Sequence, residues 1–206
     1  MSTSRFITTL GLAVALAAVL RCVPLLLGAP AQHPDEFNFI YWPLYFFSGD
    51  LNPQHTVTAF YPALQYYLLG VLYLGYFSLL RLSGVPWTLD EHVAYGFFWG
   101  ADDLLSIARW TSAVFGVGTV AVTALVAREL YGSTAAAIAG LLMALCSIHL
   151  RQSPLAAVDV PMTFWYAGAM WASVRLYHNG GRSTYLLAGG LVGLAAATEY
   201  PGVLAG

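Results

Sequence analysis

The chain has 206 residues, of which 59% are hydrophobic and only 9% charged, with a formal net charge of −2 and a mean hydropathy of +0.68. A soluble domain carries about 25% charged residues, so these side chains cannot clothe a water-facing surface, and insertion into a bilayer removes that need. All eight basic residues are arginine, a composition that points away from nucleic-acid binding.

A spanning helix takes about 20 predominantly apolar residues, and the first such run is 6–27. Read as a cleaved signal peptide, it would have a small-residue site at Ala29-Pro30-Ala31. Arg21 and Pro24 interrupt the approach to that site, which favours an anchored helix. Cys22 and Cys146 both lie in apolar runs, so neither a disulfide framework nor a metal site is implied.

His33-Pro34-Asp35-Glu36 follows directly, ahead of the aromatic run Phe37-Asn-Phe-Ile-Tyr-Trp42. Two carboxylates are thereby held at the membrane surface above a short interfacial helix. Two roles fit Asp35: capping that helix, with Glu36 in its first turn, or acid–base chemistry. The stretch 61–82 is apolar but crowded with tyrosines, which prefer the headgroup level. It either lies along the surface or crosses the bilayer. Thr88-Leu-Asp-Glu91 fits a capping box, and Asp102 is placed to cap a helix starting near Leu104.

Four further spans are expected at 104–127, 135–150, 161–177 and 185–206, so the predicted fold is an all-α transmembrane bundle of about five spanning helices. The last run reaches Gly206 without a polar tail, which reads as the N-terminal portion of a longer protein. Counting arginines gives four on each side whether 61–82 spans or lies flat, so the positive-inside rule alone does not decide the topology. Arg128, Arg175 and Arg182 sit in short polar turns where that rule is most reliable, and this favours the flat arrangement. A loop over 28–103 then faces outward and holds seven of the ten acids. Loops of that length are usually functional.

Between the spans, Asp159 is an acid near the bilayer and so a functional candidate, or a cap close to Pro161. Arg109 and Arg151 end apolar segments and either snorkel to headgroups or bind phosphate. Glu199, late in the last run, needs a cavity or a partner.

Taken in order, these features resemble the polytopic GT-C glycosyltransferases that use polyprenyl-phosphate sugars, among them protein O-mannosyltransferases and lipid A aminoarabinose transferases. The resemblance is carried by Arg21 and Pro24, Asp35-Glu36, Ser48-Gly-Asp-Leu-Asn-Pro53, Tyr61-Pro62, Ala108-Arg109, Ala127-Arg-Glu-Leu-Tyr-Gly132, Arg151 to Asp159-Val-Pro161, and Ala195 to Tyr200-Pro-Gly202. It implies a multi-pass protein of the plasma (inner) membrane whose acidic pair lies outside and carries catalysis. It also implies that 61–82 is a juxtamembrane helix. Tyr61 and Glu199 stand where relatives often have lysine.

The resulting expectation is sugar transfer from a polyprenyl-phosphate carrier to an acceptor on a protein, lipid or glycan. Asp35 would be the base, with Glu36 or Asp159 positioning the acceptor, while Arg109, Arg151, Tyr61, Glu199 and His33 bind substrate. No cofactor or metal ligand set is implied. The rival readings are a transporter or lipid flippase, disfavoured by the lack of internal repeats, and a non-catalytic lipid-binding subunit.

Overall fold

The computed structural model describes residues 3–28, 33–52 and 61–205. Ala29-Pro30-Ala31 and Pro53 fall outside them. Every regular element among the described residues is helical: α1 (Thr3–Leu26), α2 (Glu36–Tyr45) with a 3-10 turn (Phe46–Ser48), α3 (Leu64–Leu82), α4 (Leu89–Phe98), α5 (Ala101–Leu145), α6 (Ser147–Gln152), α7 (Asp159–Asn179), α8 (Arg182–Thr198) and a closing 3-10 helix (Tyr200–Ala205). By length and composition alone, α1 and α5 are long and apolar enough to cross a membrane.

α5 is a hairpin of two arms. A Cβ on Gly140 would stand 3.3 Å from that of Ala124, whereas sixteen residues of straight helix span about 24 Å. The reversal is at Gly132, with φ 84° and ψ −177°, a conformation open to glycine and strained for other residues. It falls within the polar turn 129–133.

α1 lies against both arms. Phe6 packs with Ala124 and Ala136, and Ala13 and Ala17 pack with Val120 and Ala144. Arg21 meets Gly116. Small residues at these levels let the helix backbones approach closely. α7 packs against α5 and α8, with Phe164 on Phe115.

The helices of 28–103 form a separate layer over one end of this bundle. Its core joins Phe39, Ile40 and Leu44 of α2 to Tyr66, Leu69 and Tyr73 of α3, and to Leu104, Leu105 and Ala108 of α5. The Tyr73 hydroxyl lies 2.8 Å from the Phe39 carbonyl and 3.1 Å from that of Leu104. Asp103 accepts from the hydroxyls of Tyr76 and Tyr95, at 3.0 and 3.2 Å, tying α3 and α4 to α5. The Thr88–Glu91 capping box is present on α4.

Two expectations are corrected. α5 starts at Ala101, before the predicted start, so Asp102 lies inside its first turn and does not cap it; Gly100 stands at the cap position. The helix expected over 185–206 stops at Thr198, and Glu199 is extended, with φ −156° and ψ 145°. Pro201 has no N–H to continue the ladder, so the chain leaves the helix just before it.

Candidate functional site

Asp35 precedes α2, yet its side chain makes no capping hydrogen bond. The cap explanation is therefore not realised. Its carboxylate is 57% exposed and lies 3.6 Å from Nδ1 of His33, itself 52% exposed. Glu36 is the opposite case. It is buried, and its oxygens accept from Arg109 Nε at 2.8 Å and Arg109 NH2 at 2.7 Å. The backbone N–H groups of His33 and Ala156, each at 2.8 Å, complete the set. Burial by itself would raise the Glu36 carboxyl, but the Arg109 and backbone hydrogen bonds outweigh it and hold it below the usual carboxylate range. Four donors on one buried carboxylate make Glu36 a clasp joining the start of α2, α5 and the segment ahead of α7.

That clasp brings Asp35 and Asp159 to the same end of the bundle. Asp159 is exposed at the first residue of α7. Tyr61, against Phe39 at 6.0 Å between ring centroids, senses the whole group. Burial first, and then the charges of Asp35, Asp159 and Glu199, push its phenol above the usual range. Arg151 is exposed in the last turn of α6. At the opposite end lie Arg128, over the Phe6 ring at 4.3 Å, and Arg175, 3.9 Å from Glu129.

Two residues with no role assigned from sequence are joined in a buried hydrogen-bond network. Arg21 is fully buried. Its guanidinium donates to the carbonyls of Ala144 and Met143, both at 3.1 Å, in the last turn of α5, where the Met143 carbonyl also accepts from the Cys146 N–H. It also lies 3.0 Å from Nδ1 of His149. Gly116 makes room for it, since a Cβ there would fall 2.6 Å from Ser153 Oγ and 3.2 Å from Arg21 Cδ. The signal in the sequence was an arginine inside an apolar run; His149 carried none. Among the described residues no cluster of His, Cys, Asp or Glu is arranged to hold a metal ion.

Residues 101–206 match the family described as dolichyl-phosphate-mannose-protein mannosyltransferase. The chain belongs to that family. The matched part of this mannosyltransferase-family chain contains Arg109, Arg151, Asp159 and Glu199, while Asp35 and Glu36 precede it. Neither a curated protein nor a solved structure matches. Its membership makes it a membrane glycosyltransferase of the GT-C kind.

Proposed function

We propose that this protein moves a hexose, mannose by the family's description, from a polyprenyl-phosphate carrier to an acceptor hydroxyl on the extracytoplasmic face. The observation that carries this reading is the Glu36 clasp, whose bonds to Arg109 and Ala156 hold the exposed Asp35 beside the segment that leads to Asp159, at the end of the bundle away from Arg128 and Arg175. α1, both arms of α5, α7 and α8 would span the plasma (inner) membrane, with α2, α3 and α4 lying outside as a surface layer.

Asp35 is assigned as the general base because it is exposed and not engaged as a cap. It takes the acceptor's proton as the hydroxyl oxygen bonds to the sugar's anomeric carbon. The bond from that carbon to the phosphate oxygen breaks, and the electron pair leaves with the polyprenyl phosphate. Glu36 acts through position: its oxygens are engaged, and it holds the Asp35 turn against α5. Arg109 is matched by Glu36, so the charge that builds on the leaving phosphate falls to Arg151. Asp159, Glu199, Tyr61 and His33 border the substrates.

Full-length protein in vesicles, given radiolabelled polyprenyl-phosphate mannose and an acceptor peptide, tests this. Labelled acceptor is the expected product. Lipid translocated across the bilayer with no labelled acceptor would establish a flippase instead.

A further inference from the structure

Between the end of α5, α6 and the start of α7 is a cavity of about 300 Å³. His149, Gln152, Asp159 and Thr163 line it, with Met143 and Val160 among its apolar walls. A guanidinium can only donate, so the contact from Arg21 NH2 requires Nδ1 of His149 to be the acceptor. The imidazole proton then belongs on Nε2, since a second cation 3.0 Å from Arg21, in a buried place, would be repelled. Nε2 is buried and has no acceptor among the described residues, an uncommon state for a buried donor.

The lining combines a carboxylate acceptor, an amide with both functions, a hydroxyl and an apolar wall, with the His149 ring beside them. That mixture suits a polyhydroxylated ring, whose hydroxyls both donate and accept. It does not suit a phosphate, because Asp159 would repel it and Arg21 spends its NH1 and NH2 groups on carbonyls and His149. The volume is at the low end of small-molecule sites, roughly 300–1,000 Å³, and matches one sugar ring better than a lipid.

We propose that this cavity holds the ring of the sugar being transferred, with Asp159 and Gln152 reading its hydroxyls and His149, oriented by Arg21, donating to a ring substituent through Nε2. The inference rests on the glycosyltransferase reading and adds the residues that select the sugar. Arg21 is a positioning residue, since it reaches the site only through His149.

The test compares two probes on the full-length protein: polyprenyl-phosphate mannose and sugar-free polyprenyl phosphate. Gln152→Ala and Asp159→Asn are expected to weaken binding of the mannosyl lipid at least tenfold. The sugar-free lipid should stay within twofold, with thermal unfolding unchanged. His149→Gln, whose amide N–H can reach the place of Nε2–H, should bind the mannosyl lipid within about threefold of wild type. His149→Asn, which mimics only Nδ1, should lose about tenfold. Equal weakening of both lipids, or of neither, overturns the proposal, as does an Asn variant that binds better than the Gln variant. If wild type binds neither probe, the glycosyltransferase reading falls as well. If wild type transfers mannose but the variants do not separate the two lipids, this inference alone falls.

Discussion

Glu36 and Arg109 meet side-on in a two-point ion pair, Nε to Oε1 at 2.8 Å and NH2 to Oε2 at 2.7 Å, although 73 residues separate them in the chain. The pair is 2% and 12% exposed, so water screens it little. Removing one partner leaves the other charge buried, which typically costs about 3–5 kcal/mol. Glu36→Gln and Arg109→Met should each lower the thermal unfolding midpoint of the detergent-solubilised protein markedly. Lysine at position 109 should not rescue, because it lacks the planar fork. A double variant, Glu36→Gln with Arg109→Met, should be more stable than the sum of the two losses predicts.

The same pair sets a pH dependence. The folded-state Glu36 carboxyl lies below its unfolded value, near 4.3 for a free glutamate, so the folded protein binds its proton less readily than the unfolded chain. Its contribution to stability is therefore complete above the unfolded value and is lost as pH falls through the lowered folded value. Unfolding midpoints measured from pH 7 downward should fall more steeply below about pH 4 in wild type than in Glu36→Gln. Parallel curves would show that Glu36 contributes nothing to acid sensitivity.

Asp35→Asn separates catalysis from structure. The Asp35 side chain makes no cap hydrogen bond, so the variant should fold and unfold as wild type does. General-base assistance is typically worth about 10²–10⁴-fold, and turnover should drop at least a hundredfold with donor binding retained. Asp90→Asn, on α4, should turn over normally. Near-normal turnover in the Asp35 variant would move the base assignment to Asp159.

Membrane sidedness is read by single cysteines in a background lacking Cys22 and Cys146. Positions 35, 90 and 159 should react with an impermeant thiol reagent in intact cells, and positions 128 and 182 only after permeabilisation. Reaction at 128 with protection at 159 would place α3 across the bilayer and break up the shared site.

Gly116 leaves room for the buried Arg21 side chain. Gly116→Ala would push a methyl group against Ser153 Oγ and Arg21 Cδ, and overpacking of this kind typically costs about 1–3 kcal/mol. The unfolding midpoint should fall, whereas Gly11→Ala, with open space at its Cβ, should not lower it.

What this sequence determined by itself was whatever local pattern encodes. Apolar runs without charge specify an all-α membrane fold, because a helix satisfies its backbone within a single segment. Thr88 and Glu91 mark a helix start because a capping box needs only four consecutive residues. The order and spacing of the whole series of motifs, from Arg21 and Asp35-Glu36 to Asp159 and Tyr200-Pro-Gly202, indicated the family. Tertiary structure alone decided where each of these groups lies and what surrounds it. Asp35 and Glu36 are adjacent acids, yet one is open and the other is buried under four donors, and the difference comes from Arg109 and Ala156 far along the chain. Arg21 looked like an interruption in an apolar helix, and only the return of α5 at Gly132 brings the carbonyls of Met143 and Ala144 within its reach. Contacts across more than a hundred residues leave no periodicity to read, because their partners become neighbours only when the helices pack.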